Sequence, residues 1–214
     1  MKVERRFVST SVRPVNIERR DNGRPVLAGY AAVFYRENDP GTEYQLMPGL
    51  RERIARSAFD SALANSDDAR GLYNHNPDWL LGRRSAGTLR LSVDDNGLRY
   101  EIDPPDTQMG RDVVTSIERG DLTGSSFAFF IRRASWIEGD EGDVRQVEDV
   151  ELVDVGPVTY PAYEASTTGL RSEGSLDEVL KEWEARKAER RKRDIAEAQQ
   201  FNETMLRRAK LAGL

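Results

Sequence analysis

The stretch TLRLSVDDNGLRYEID, residues 88–103, fixes one piece of the fold by its pattern alone. Leu89, Leu91 and Val93 alternate with polar residues, DDNG reverses the chain, and Leu98, Tyr100 and Ile102 alternate again, so the two arms pair as an antiparallel hairpin. Around it, RPVLAGYAAV (24–33) is apolar and small enough for a buried strand, while SSFAFFIRR (125–133) and RQVEDVELVDV (145–155) read as two more. RERIARSAFDSALAN (51–65) puts Ile54, Ala58 and Ala62 on one helical stripe, with Phe59 and Leu63 beside it, and predicts a helix. A second helix is predicted from a cap at Asp106 or Thr107, with Met109, Val113, Val114 and Ile117 on one face and Gly120 ending it in a left-handed turn. Several strands, two intervening helices and no regular βαβ alternation predict a mostly β, α+β fold: an antiparallel barrel or sheet decorated by helices.

From residue 171 the chain changes character. SLDEVLKEWEARKAERRKRDIAEAQQFNETMLRRAKLAGL (175–214) has no proline, one glycine beside its end, and acid-first pairs four apart, Glu182–Arg186 and Glu189–Arg193, all signs of a charged helix. Leu176, Leu180 and Trp183 give it a short apolar stripe. Two units follow: a body over 1–170 and a helical tail over 171–214.

Charge and composition remove several classes of function. The net charge of −5 divides unevenly, because 171–214 holds 11 Lys and Arg against 9 Asp and Glu, which leaves −7 on the body. An acidic body argues against a duplex-wrapping role, and RKAERRKR (186–193) reads as a solvated helix face, so nucleic acid is not expected as a partner. No run of about 18 apolar residues is present and MKVERRFVST lacks the apolar stretch of a secretion signal, which reads as a soluble, intracellular chain. With no cysteine and a single histidine, thiol nucleophiles and zinc sites drop out, and neither metal nor cofactor is implied.

That histidine, His75, lies in NHNPDW and is the side chain best suited by its ordinary pKa to take a proton near neutral pH. A nucleophile to match it is offered by GDLTGSSFAF. If 125–131 is a strand, Phe127, Phe129 and Ile131 anchor one face, Ser126 points from the other into a cleft, and Ser125 is buried and hydrogen-bonded on the Phe face. A serine–histidine pair needs a third group to orient the imidazole. RQVEDVELVDV supplies three candidates: by period two, Asp149 and Glu151 share a face with Val147, and Asp154 lies on the other with Val150 and Leu152.

In order along the chain, LAGYAAVF, NHNPDWLLGRRSAGTLRL, DDNGLRYEIDPPDT, GDLTGSSFAF and VEDVELVDVGPVTYPAY resemble the prohead (capsid maturation) serine proteases of tailed bacteriophages, HK97-type, from about residue 26 to 163. The resemblance implies a helix-decorated antiparallel β-barrel of herpesvirus-protease type, His75 as general base and Ser126 as nucleophile. It aligns Asp149 with the second histidine of the herpesvirus enzymes, making Asp149 the implied third member, Glu151 its reserve and Asp154 a distant third. For the oxyanion hole, the backbone at Gly156, Val158 or the Arg83–Arg84 loop is open, and Pro157 has no N–H to give. The implied activity is a serine endopeptidase that cleaves scaffold and major capsid protein, and itself, inside an assembling procapsid in the host cytoplasm. Its partners would be those substrates, with a homo-oligomer left open and no membrane. The tail would be an address into the shell. The competing class is a catalytically silent capsid assembly factor of the same fold.

Overall fold

Leu89–Val93 and Gly97–Ile102 pair antiparallel as the alternation requires, with Leu98, Tyr100 and Ile102 fully buried. The computed structural model describes residues 3–8, 13–39, 41–65, 68–160 and 173–211. Along the chain the elements are β1 (Glu4–Val8), β2 (Asn16–Arg19), β3 (Pro25–Val33), β4 (Tyr44–Met47), β5 (Leu50–Ile54), α1 (Asp60–Ala64), β6 (Arg70–Leu72), β7 (Leu80–Arg83), β8 (Leu89–Val93), β9 (Gly97–Ile102), α2 (Gln108–Glu118), β10 (Gly124–Ile137), β11 (Asp143–Val158) and α3 (Glu173–Leu211).

The strands form two sheets. One has the order β2-β3-β9-β8; the other runs β1-β10-β11-β5-β4, with β6 pairing β11 and β7. β3 lies against β1 and β10, and Tyr100 of β9 hydrogen-bonds Ser125 of β10 at 2.8 Å across the sheets. Between them sit Leu27, Phe59, Phe127 and Phe129, all without exposed surface, with the rings of Phe127 and Phe129 stacked at 4.5 Å.

Two expectations are corrected here. The sheets do not close into a barrel, and β11 pairs in parallel with both β5 and β6, so the fold is an α+β arrangement of two open sheets rather than an all-antiparallel barrel. The helix predicted over 51–65 is a strand up to Ile54, with α1 confined to Asp60–Ala64. Leu50, Glu52 and Ile54 alternate inward, and the middle one is a carboxylate. A charge at a buried position hides the period of two; Glu52 is tolerated there because Arg6 and Arg145 reach it at 2.5 and 3.1 Å.

α2 is capped by Thr107, whose Oγ1 accepts from the backbone N–H of Gly110, and Gly120 follows it at φ +78°. Residues Met1–Ser172 and Glu173–Leu214 are two compact units. In the second, Val179 and Trp183 are buried, a stripe one residue away from the Leu180 position expected, and the Leu176 side chain lies outside the described residues. Among the described residues, no helix is long and apolar enough to cross a membrane.

Candidate active site

Three segments distant in sequence converge where β10 and β11 run side by side. Ser126 is on β10, opposite Phe7 of β1 on one side and Gly156 of β11 on the other. His75 lies in the loop between β6 and β7, and Asp154 on β11 is paired with Ala128. His75 Nε2 is 2.6 Å from Ser126 Oγ, and His75 Nδ1 is 2.5 Å from Asp154 Oδ1. The imidazole is thus held between a hydroxyl and a carboxylate, the arrangement in which a histidine can take a proton from the first while the second fixes its tautomer.

Asp154, not Asp149, is the acid at the imidazole, and the reason is a bulge. Ala128 pairs with Asp154 but Phe129 pairs with Leu152, so one step on β10 spans two on β11 and Val153 is an extra residue. The bulge turns Asp154 away from the Leu152 and Val150 face and onto the face of Ser126 and Ala128. Strict alternation assigns it to the wrong side. Asp149 instead accepts a hydrogen bond from Ser61 of α1, and Glu151 accepts from Arg132 at 3.1 Å. Neither reaches His75. One signal in the sequence does favour Asp154: in LVDVGPV it is flanked by valines on both sides, whereas Asp149 and Glu151 stand among other acids. A carboxylate in so apolar a run has to be buried, and a buried carboxylate needs a partner.

Gly156, directly across from Ser126, is required by close approach: a Cβ there would lie 2.1 Å from the carbonyl oxygen of Leu72. That approach brings the end of β6, and with it the histidine loop, onto β11. The loop is closed on itself by Tyr73 N–H to Trp79 O, Asn76 N–H to Tyr73 O and Trp79 N–H to Asn76 O, at 3.0 to 3.1 Å. Asn74 and His75 both adopt the left-handed conformation, at φ +55° and +57°. A non-glycine residue so held costs of order 1–3 kcal/mol and persists only where its surroundings enforce it. Of the suggested oxyanion donors, Arg83 N–H is given to Thr88 Oγ1 and Arg84 N–H to Ala69 O.

The site is closed. Ser126 has no exposed surface, and the side chains of His75 and Asp154 keep 8% and 7%. Ser126 therefore does not face an open cleft, as alternation alone suggests; β1 lies alongside it. The ring of Phe7 stands edge-on to the imidazole at 6.3 Å, and Ser126 Oγ is also 2.8 Å from the carbonyl oxygen of Arg6. A hydroxyl has one proton. When Oγ donates to Arg6, Nε2 must be the donor to Oγ; when Oγ donates to Nε2, the imidazole is ready to act as base. Ser125, on the opposite face, is buried against the Tyr100 hydroxyl.

β1 is locked in place by charge. Arg6, fully buried, contacts Glu52 at 2.5 Å and Glu4 at 2.6 Å, and Arg145 reaches Glu52 at 3.1 Å and Glu4 at 3.5 Å. Burial pulls the Arg6 guanidinium towards deprotonation, but the Glu52 and Glu4 carboxylates outweigh it and hold it above its ordinary range.

The caudovirus prohead serine protease family model matches residues 13–182, a span that includes His75, Ser126 and Asp154. Among solved structures, the bacteriophage T4 capsid assembly protease, gp21, is similar with a TM-score of 0.43 and 13% identity, over 74% of this chain and 99% of that one. No curated protein matches the sequence. With the family match extending over most of its length, the chain belongs to the caudovirus prohead serine protease family.

Proposed function

We propose that the chain is a serine endopeptidase of phage capsid maturation, with Ser126 as nucleophile, His75 as general base and acid, and Asp154 as the carboxylate that orients the imidazole. The observation that carries it is the unbroken hydrogen-bonded line Asp154–His75–Ser126. In the reaction, Ser126 Oγ attacks the scissile carbonyl carbon as its proton passes to His75 Nε2. Asp154 accepts from Nδ1–H and stabilises the imidazolium. Nε2–H then protonates the leaving amine, leaving an acyl-enzyme on Ser126 that water hydrolyses with His75 again as base.

The substrates of this reading are scaffold and capsid-protein extensions in the procapsid, together with the protease itself. The body supplies the chemistry and α3 the address into the shell. Burial of Ser126 favours keeping a second reading, a silent assembly factor of the same fold, in the test. Mass spectrometry of capsid precursor co-expressed with wild type or Ser126→Ala decides between them. Discrete processed termini with wild type and none with Ser126→Ala are expected. Intact precursor in both would leave the assembly factor.

A further inference from the structure

The residue before the histidine is fastened to the strand that carries the aspartate. Asn74 N–H donates to the carbonyl oxygen of Pro157 at 3.0 Å, Thr159 N–H donates to Asn74 Oδ1 at 2.8 Å, and Asn74 Nδ2–H donates to Thr159 Oγ1 at 3.0 Å. The Tyr73 hydroxyl shares the same Thr159 Oγ1 at 2.5 Å. Pro157 and Thr159 come shortly after Asp154 along β11 and its end, and Gly156, the residue paired with Ser126, lies between Asp154 and Pro157. One short segment, 154–159, is therefore the common ruler for all three groups of the triad.

We propose that Asn74, acting with Thr159 and Tyr73, is the positioning device of the site: a side-chain clamp that holds the strained histidine loop against β11 so that His75 reaches Ser126 and Asp154 at once. Asparagine suits the position twice. It tolerates a left-handed backbone better than other non-glycine residues, and its amide both donates to and accepts from the same neighbouring residue. His75 follows it in the same left-handed region at φ +57°, so two consecutive non-glycine residues depend on what grips the loop. Asn74 touches neither reacting atom and acts through His75.

The inference rests on the serine-protease reading for its effect on turnover, but its structural content can be read without any substrate. His75 is the only histidine, so the Nδ1 proton shared with Asp154 and the ring carbon-bound protons give single, unambiguous NMR signals. In wild type, a downfield Nδ1 proton protected from solvent exchange is expected. Asn74→Gly keeps the left-handed backbone accessible while removing the amide; it should broaden or abolish that signal and lower kcat by about 10- to 100-fold with KM within about twofold, as expected for a displaced catalytic group. Thr159→Val removes only the shared hydroxyl and should give a smaller loss of the same kind, and it serves if Asn74→Gly folds poorly. Asn74→Ala should be worse than Asn74→Gly, since it loses backbone compatibility as well.

A folded Asn74→Gly or Thr159→Val with the protected proton and wild-type kcat overturns the clamp. So does a wild-type protein without the protected proton. A wild-type protein that shows the proton, loses it in the variants and cleaves nothing would instead sink the protease reading while leaving the clamp standing.

Discussion

Asp154 and Ser126 project from the same face of neighbouring strands only because β11 carries Val153 as an extra residue opposite the Ala128–Phe129 step. The hydrogen-bonded line Asp154–His75–Ser126 thus depends on an irregularity in the sheet. Asp154→Asn should leave the protein folded and reduce cleavage by about 10⁴-fold, because an amide favours the wrong imidazole tautomer. Asp149→Asn and Glu151→Gln, whose partners are Ser61 and Arg132, should keep cleavage within about twofold of wild type. Cleavage rates of the three variants beside their thermal midpoints separate lost chemistry from lost fold.

Burial of Ser126 sets the rate at which reagents reach it. A fluorophosphonate probe should modify Ser126 and not Ser125, which is occupied by Tyr100, and labelling should be slow in buffer. It should stay slow through low urea, because the buried Arg6–Glu52–Glu4 network holds β1 against β10, and be lost with global unfolding, which separates Ser126 from His75. Peptide mapping of the adduct across a urea series checks this. Labelling that accelerates in low urea, before global unfolding, would show that β1 opens separately despite that network.

The Arg6–Glu52 pair, with neither side chain exposed, makes a distinct stability prediction. Glu52→Gln leaves Arg6 and Arg145 facing Glu4 alone and should cost about 3–5 kcal/mol in denaturant unfolding. An exposed pair such as Arg19–Glu118 should cost less than about 1 kcal/mol when Glu118→Gln removes it.

Hydrogen bonds from Arg90, with Arg20, hold the Asp103 carboxyl below its ordinary value, and hydrogen bonds from Arg99 first and then Arg90 do the same for Glu101. The folded chain therefore binds fewer protons than the unfolded one at these two sites just below the usual carboxylate range. Their contribution is fully present above that range and is lost as pH falls through the lowered folded values. Arg90→Gln should flatten the fall of the thermal midpoint between about pH 5 and pH 2. Differential scanning calorimetry across that window is the measurement.

Much of this was legible in the residues. The hairpin at 88–103, the cap and stop of α2, the strand holding Ser126 and the long charged helix follow from periodicities that local sequence enforces. His75 and Ser126 were identifiable as a pair because the chain has one histidine and one serine opposed to a run of buried aromatics. What the residues concealed shares a single cause, polar groups at inward positions. Glu52 masks a strand as a helix face, and Asp154 is reassigned by a bulge that alternation cannot anticipate. Arg6, fully buried in an arginine-rich N-terminal segment, carries no sign that its carbonyl meets the Ser126 hydroxyl.

The pairing of β1 with β10 has a consequence for when the Asp154–His75–Ser126 line can form. Arg6 meets Ser126 across 120 residues, and His75 meets Asp154 across 79. A ribosome must release most of the body before any of these contacts can form, and pairings so distant in sequence are the slow ones in folding. The growing chain therefore carries its serine, its histidine and its aspartate as inert side chains. The Asp154–His75–Ser126 line forms only with the finished sheet, and it forms with β1 already beside the serine.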